Sequence, residues 1–263
     1  MMKTEDKAIL STLIALFESF PMKALPPLEQ DPEAKLLITG LNDFFFNNLC
    51  LKKPKSQELL IDELKSFHRD LAKPLMVWVT PETKSPGLET KLQSHFDTHG
   101  SYYGMLLNVN NAELTECPDH ILIETVKTEE AATDYTKLFC DIFQLNNIRE
   151  AMKSYVMKQY QSNHPDAINY IARINGQLAG VCTLTLNRHF SEFKTGGFYN
   201  TCVLPEYRKS GVATAMASHR VREAQKLGLE FLSVILMSDA MARGYCERLG
   251  FKSFQTLTPF FLQ

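Results

Sequence analysis

The chain has 263 residues, and its 28 lysines and arginines nearly balance its 30 aspartates and glutamates, for a net charge of −2. This balance argues against a nucleic-acid-binding protein, which carries a basic surface. The six cysteines are dispersed without a C-x-x-C pair, so they predict reduced thiols, and neither a disulfide framework nor a zinc site. No apolar run reaches about 18 residues, and acids follow the first methionines. We therefore expect a soluble, cytoplasmic protein with no membrane span and no signal peptide.

Residues 1–116 predict short α/β elements separated by prolines, nine of the twelve prolines lying by residue 118. Apolar spacing predicts the helices, and runs of β-branched and aromatic residues predict the strands. In chain order we predict a helix over 6–20, strands over 35–39 and 44–51, a helix over 56–71, a strand over 75–79, a helix from 88 to about 98 and a strand over 102–109.

His95 and His99 are four residues apart near the end of the helix predicted from residue 88. This spacing puts two imidazoles on one helix face, where they can hold a metal ion. The segment lacks the glutamate of an H-E-x-x-H motif, and no third ligand is evident. We interpret both as solvated histidines and predict no metal site.

Residues 117–263 alternate strands and helices in a longer pattern. Thr128 is placed to cap a helix, and Asn175-Gly176 is typical of a hairpin turn. In chain order we predict a strand over 121–126, helices over 129–144 and 148–160, strands over 167–174, 177–186 and 196–204, a helix from about 213 to Gly228, a strand over 231–237, a helix over 240–249 and a last strand after Gly250-Phe251.

The turn between the strand ending at Leu204 and the next helix has the pattern R-x-x-G-x-A, formed by Arg208, Gly211 and Ala213. A helix start leaves several backbone N–H groups unpaired and partly positive, which suits a phosphate group. Small residues allow the phosphate to approach the backbone closely. The chain has neither a P-loop nor a G-x-G-x-x-G motif. An ordinary surface turn with two solvated cations is the alternative interpretation.

A second motif follows the first at a fixed distance. Together they resemble the acyl-CoA-binding core of the GNAT superfamily of N-acyltransferases, in which [RQ]-x-x-G-x-[GA] precedes N-x-x-A-x-x-x-Y-x-x-x-G-F. The positions that match the second motif are Asp239, Ala242, Cys246 and Gly250-Phe251. The resemblance implies an α/β (α+β) fold with a mixed, mostly antiparallel sheet flanked by helices over 117–263.

Residues 1–116 resemble the degenerate N-terminal half of a tandem GNAT protein. They contain no [RQ]-x-x-G-x-[GA] turn, so we assign them no cofactor. An unrelated accessory α/β domain remains the alternative for this region. The predicted domain boundary is therefore at residues 116 and 117.

The resemblance implies acetyl-CoA as the co-substrate. Backbone N–H groups of the turn would hold the coenzyme A diphosphate, and the strand before it would pair with the pantetheine arm. A splay between this strand and the next would open a slot for the thioester. The implied cofactor-binding residues are Cys202, Val203, Leu204, Arg208, Lys209, Ser210, Gly211, Val212, Ala213, Thr214, Asp239, Ala242 and Cys246.

The general acid is left open because Cys246 stands where the family often has a tyrosine that protonates the departing thiolate, and Asp239 stands where it often has asparagine. Cys246 is a candidate donor through its own S–H, with a small buried hydrophobe as the alternative. Tyr245 is one residue away, and a shift of about 100° around the helix predicts that it points elsewhere.

The general base is also open, because location alone makes Glu192 a candidate, with Tyr199 and Thr201 as further candidates. Strand alternation predicts that Tyr199, Thr201 and Val203 share one face.

We predict an acyl-CoA-dependent N-acetyltransferase that acts by direct attack of a primary amine in a ternary complex. A non-catalytic acyl-CoA sensor is the alternative, and a purely structural interaction protein is a third possibility.

Overall fold

The chain forms a wide β-sheet with helices packed on both of its faces. A computed structural model describes residues 4–20, 34–43, 46–51, 61–62, 64–66, 68–69, 72–80, 83–85, 87–98, 100–187, 194–237 and 242–262. Residues 21–33 lie outside these ranges, as do Glu192, Asp239 and His99.

Ten strands and six bounded helices are found in the described ranges. The strands are β1 (Ala34–Ile38), β2 (Asn47–Leu51), β3 (Leu75–Val79), β4 (Tyr102–Asn108), β5 (Ile121–Thr125), β6 (Ala167–Ile174), β7 (Gln177–Leu186), β8 (Thr195–Val203), β9 (Phe231–Met237) and β10 (Lys252–Leu262). The helices are α1 (Thr4–Glu18), α2 (Leu88–Gln93), α3 (Glu129–Phe143), α4 (Arg149–Gln161), α5 (Val212–Lys226) and α6 (Ala242–Arg248). The described residues between 61 and 69 are also helical, within the helix predicted over 56–71.

The strands form one sheet in the order β1-β2-β3-β10-β4-β9-β8-β7-β6-β5. Its ladders are antiparallel except for the parallel pairs β2–β3 and β8–β9. The predicted mixed, mostly antiparallel sheet is thus confirmed. β4 precedes the predicted boundary at residue 116, yet it lies between β9 and β10. The sheet therefore runs unbroken across that boundary, and the division into two domains stays a prediction.

The two faces of the sheet carry different helices, because neighbouring strand residues point to opposite sides. Tyr199 and Cys202 of β8 share a buried cluster with side chains of α1, α3 and α4. Phe198 of the same strand belongs to a second cluster with α5. The apolar residues of α1 recur at helical spacing from Leu10 to Phe17, and they bury this helix on the first face.

Local turn and capping signals account for several boundaries. The Thr128 hydroxyl accepts a hydrogen bond from the Ala131 N–H at 3.1 Å, as predicted for the cap of α3. Asn175 and Gly176 have φ values of 48° and 81°, which are typical of a two-residue hairpin turn. The helix predicted from residue 88 to about 98 was too long, because α2 ends at Gln93. His95 is exposed beyond the end of α2, and His99 is not among the described residues.

Candidate functional site

β8 and β9 diverge soon after they meet. Their parallel ladder has three pairs, which are Thr195 with Phe231, Gly196 with Leu232 and Gly197 with Ser233. Beyond Gly197 the edge of β8 that faces β9 continues to Val203 without a ladder partner on that side. Backbone N–H and C=O groups along such an edge are available to an extended ligand. The expected splay between these strands is present.

A β-bulge at Asn200 interrupts the pairing of β8 with β7. Asn200 has a φ of 54°, in the left-handed region, and the register shifts between the pairs Val181–Cys202 and Thr183–Tyr199. The extra residue changes the alternation of side chains. Tyr199 faces α1, whereas Thr201 contacts Arg220 of α5 on the other side. The prediction that Tyr199, Thr201 and Val203 share a face was wrong for Tyr199.

The turn after β8 holds its backbone in a conformation that leaves amides unpaired. The Leu204 N–H still bonds to the Ala179 oxygen at 2.9 Å, and a 3₁₀ turn follows over Pro205–Tyr207. Lys209 and Gly211 then have φ values of 64° and 91°. Within the part of the chain that the structure describes, the six N–H groups from Lys209 to Thr214 have no hydrogen-bond acceptor. Together they form an anion-binding start of a helix.

The side chains around these amides leave the approach open. Arg208 and Lys209 are exposed, and α5 has no acid in its first turn. The Ser210 hydroxyl donates to the Tyr207 oxygen at 2.6 Å, so it serves the turn itself. A Cβ added at Gly211 would meet only the Ile121 Cδ1, at 3.9 Å, and the space in front of this residue is open. An anion can therefore reach the backbone here.

Residues 132–251 match the family described as the Acetyltransferase (GNAT) family. This chain contains a GNAT domain. No curated protein sequence matches the chain significantly.

Solved structures with the same fold extend over nearly the whole chain. A GCN5-related N-acetyltransferase from Kribbella flavida superposes with a TM-score of 0.70 at 13% identity, covering 99% of this chain and 96% of its own. A protein of unknown function from Staphylococcus epidermidis gives 0.70 at 16% identity, with 93% and 96% covered. A tandem GNAT protein from the clavulanic acid biosynthesis pathway gives 0.60 at 14% identity, with 98% and 95% covered. These likenesses establish the fold.

Cys246 of the GNAT domain is fully buried on α6. Burial raises the pKa of its thiol to about 12, although the nearby Arg220 guanidinium lowers it in part. The thiol therefore stays protonated near neutral pH. Because its side chain is enclosed, it has no direct access to a ligand in the slot.

Tyr245 is half-buried on α6, and its hydroxyl contacts β8. Burial raises the pKa of its hydroxyl above the ordinary 10.0, while the Arg220 guanidinium and a hydrogen bond with the Thr201 hydroxyl lower it in part. The side chain thus lies beside Thr201 on β8. Within α6, the hydroxyl group that lies against β8 is that of Tyr245.

Arg220 was missed by the sequence analysis, although a signal was present. It lies on α5 among the buried residues Met216, Ala217, Val221 and Ala224, at a spacing where an apolar side chain is expected. Its own side chain is fully buried. A charged residue within an apolar helix face indicates a buried charge with specific partners.

Three further expectations concern Ala242, a metal site and a membrane span. Ala242 is the first residue of α6 and is half-buried. Among the residues that the structure describes, no group of three or more histidines, cysteines or acids is placed to hold a metal ion. None of the helices in those ranges combines the length and the apolarity that a bilayer span requires.

Proposed function

We propose that the GNAT domain is an acyl-CoA-dependent N-acyltransferase that moves an acetyl group from acetyl-CoA to a primary amine. The observation that carries this proposal is the junction of the open β8 edge with the unpaired amides that start α5. An acyl-CoA has an extended amide-containing arm joined to a diphosphate, and these two features complement it in the same order.

The donor would lie with its diphosphate on the amides of Lys209 to Thr214. Arg208 and Lys209 add positive charge at the mouth of this turn. The pantetheine amides would pair with the backbone from Cys202 to Leu204, along the edge that lacks a strand. A strand N–H near Val203 would then polarise the thioester carbonyl, which favours the tetrahedral transition state.

The reaction would proceed by direct attack of the amine within a ternary complex. The slot positions the two reactants, and positioning alone lowers the barrier substantially. A thiol of pKa about 8.5 is a tolerable leaving group, so one proton donor suffices. We assign this role to the Tyr245 hydroxyl in preference to the enclosed Cys246 thiol, because Tyr245 is partly exposed beside Thr201. Glu192 remains the proposed base by its position just before β8.

The acceptor would bind on the face covered by α3 and α4, which line the acceptor side in the family. A neutral polar network crosses this face. The Thr183 hydroxyl joins the Tyr135 hydroxyl at 2.6 Å and donates to the Asn169 Oδ1 at 2.7 Å, and it accepts from the Asn200 Nδ2 at 3.3 Å. We place the protein in the cytoplasm, where acyl-CoA is found, and propose no nucleic-acid partner.

Calorimetric titration with coenzyme A and acetyl-CoA tests the binding step. We expect saturable binding of both. A thiol-release assay with a panel of small amines and amino-terminal peptides then tests the transfer step. Absence of binding would overturn the donor assignment.

A non-catalytic acyl-CoA sensor is the second candidate. It is favoured by the burial of Cys246 at the position of the family tyrosine. Saturable acetyl-CoA binding without acetylation of any amine or peptide would support the sensor and contradict the enzyme.

A further inference from the structure

Arg220 is a cation enclosed entirely within the protein. Its side chain has no exposed surface, and it projects from α5 into the sheet beside the splay. Removing a guanidinium from water costs several kcal/mol unless its donors are satisfied. The donors of Arg220 are satisfied by hydrogen bonds inside the protein.

All the acceptors of Arg220 are neutral. In the ranges that the structure describes, it forms no ion pair with a carboxylate. Its guanidinium carbon stands 3.6 Å from the centre of the Phe198 ring, a cation–π contact that offsets part of the desolvation. The positive charge therefore remains uncompensated by any described acid. It is also felt by Tyr245 and Cys246, whose pKa values it lowers against the larger effect of burial.

Nε of Arg220 donates to the Met216 carbonyl oxygen of its own helix at 3.4 Å, and the other hydrogen bonds of the guanidinium converge on the bulge in β8. Nη1 donates to the backbone carbonyl oxygen of Thr183 at 3.0 Å and to that of Tyr199 at 3.4 Å. These two residues form the last regular pair before the bulge. Nη2 donates to the Thr201 hydroxyl at 2.9 Å, on the other side of Asn200. One planar group thus holds both sides of the left-handed residue.

The conformation held in this way determines where the next amides point. Asn200 has a φ of 54°, in the left-handed region that few non-glycine residues adopt and that asparagine tolerates best among them. The residues that follow, Cys202 to Leu204, form the open edge beside the splay. A change of the bulge would turn this edge, and a shift of about 1 Å in a reacting group is enough to slow a reaction about a hundredfold.

We propose that Arg220 is a positioning residue for acyl transfer, which sets the β8 bulge so that the amides after it meet the thioester carbonyl. This proposal rests on the proposed function and names a residue outside the two family motifs. Arg220 acts through the backbone and does not touch the reacting atoms. The diphosphate turn is held by other contacts, so loss of the bulge should reduce turnover more than it reduces donor affinity.

Three variants test the assignment. Arg220→Met keeps the length of the side chain and removes the charge and the donors, whereas Arg220→Lys keeps the charge with a different donor geometry. Arg222→Met is the matched control, because Arg222 lies on the same helix and donates from the surface to the Thr115 oxygen at 2.9 Å. For each protein we would measure coenzyme A affinity by calorimetry, kcat and KM with acetyl-CoA, and amide hydrogen exchange at residues 200–204.

We expect Arg220→Met to lower kcat at least tenfold and the coenzyme A affinity by a smaller factor, because the diphosphate turn keeps its own contacts while the pairing of the pantetheine arm with residues 202–204 is disturbed. Exchange at residues 200–204 should quicken in this variant. Arg220→Lys should recover part of kcat, and Arg222→Met should match the wild type. A residue that only supports the fold would lower the melting temperature and leave kcat of the folded protein within twofold, and that result would overturn the proposal.

Thr201→Val keeps the proposal testable if Arg220→Met does not fold. It removes one acceptor of Arg220 at nearly constant volume, and it also removes the hydrogen bond between Thr201 and Tyr245. We therefore expect it to lower kcat several-fold and to quicken amide exchange at residues 200–204, and the exchange result separates the effect on the bulge from the effect on Tyr245. If the wild type turns over, and if kcat is unchanged in Thr201→Val and in the folded Arg220 variants, the role of Arg220 is overturned and the proposed function stands. Wild-type protein that fails to bind coenzyme A would overturn the proposed function as well.

Discussion

Two helices of this chain begin in nearly the same backbone conformation, and only one of them offers a ligand site. α2 follows Gly87, with φ 79° and ψ −10°, and α5 follows Gly211, with φ 91° and ψ −6°. In each, the fourth residue after the glycine donates to the glycine oxygen at 2.9 Å, from Lys91 and Ala215 respectively. Neither glycine position receives a side-chain cap.

The difference lies in what occupies the first turn. The Leu88 N–H at the start of α2 bonds to the Ser85 oxygen at 3.0 Å. Glu89 adds a carboxylate, which pairs with Lys84 at 2.5 Å and accepts from the Thr258 hydroxyl at 2.7 Å. α5 has no acid there, and its first amides are free. A left-handed glycine before a helix is therefore insufficient for anion binding, which also requires unpaired amides and no competing carboxylate.

The largest expected effect comes from filling the open space at Gly211. Gly211→Leu places a side chain where the diphosphate would approach, and we expect coenzyme A affinity to fall at least a hundredfold, about 2.8 kcal/mol. Calorimetry measures the affinity, and thermal unfolding checks the fold.

Gly176→Leu is the matched control for this change. Gly176 has a φ of 81° and open space around its Cα, so a side chain there meets the same backbone strain away from the site. An equal loss of affinity in the control would show that strain, and not blockage, causes the effect.

The second change transfers the acid of α2 to α5. Glu89 and Ala213 are both the second residue after the glycine. We expect Ala213→Glu to weaken coenzyme A binding about tenfold more than Ala213→Gln, because the added carboxylate repels the diphosphate at the same side-chain size. Equal affinities in the two variants, or a difference that persists in high salt, would contradict the electrostatic explanation.

The third change tests whether Tyr245 donates the proton to the departing thiolate. We expect Tyr245→Phe to lower kcat about tenfold, at the low end for a general acid because a thiolate leaves readily. Since burial keeps the pKa of the hydroxyl above 10.0, kcat should not lose this proton donor below pH 10. Steady-state kinetics over pH 6 to pH 10 measures both quantities. Tyr103→Phe, which removes a hydroxyl from β4, is the control, and an equal loss there would contradict the assignment.

The smallest expected effect is on the free energy of unfolding, and it comes from Glu89 in the first turn of α2. Burial raises the pKa of Glu89, but hydrogen bonds from Lys84 and Thr258 lower it by more, so it lies below the ordinary 4.5. A lowered pKa stabilises the folded state above the unfolded pKa, and this contribution disappears as the pH falls through the folded value. We expect Glu89→Gln to cost under about 1 kcal/mol at pH 7, since the pair is partly exposed to water.

Chemical unfolding at several pH values checks this expectation. The wild type and Glu89→Gln should become equal in stability well below pH 4.5. A difference that remains unchanged into acid would show that the charge of Glu89 is not responsible.

Local signals predicted much of the fold and the turn at Gly211. The hairpin at Asn175-Gly176, the Thr128 cap and the strand at Phe231–Met237 were all readable, because each depends on neighbouring residues. The placement of β4 between β9 and β10 was not, since distant pairings leave no periodic trace. The bulge at Asn200 was missed for a similar reason, because the contacts at Tyr199 and Thr201 on either side of it come from Arg220 of a distant helix.

The position of β10 has a consequence for how the protein is made. Its residues join β3 and β4, two strands that leave the ribosome long before residues 252–262 are synthesised. Until then, both earlier strands keep a bare edge, and such edges attract other chains in a crowded cell. Translation of this last hydrogen-bonded stretch is therefore the event that seals the middle of the sheet, and a nascent chain halted before Lys252 should be a substrate for chaperones or proteases.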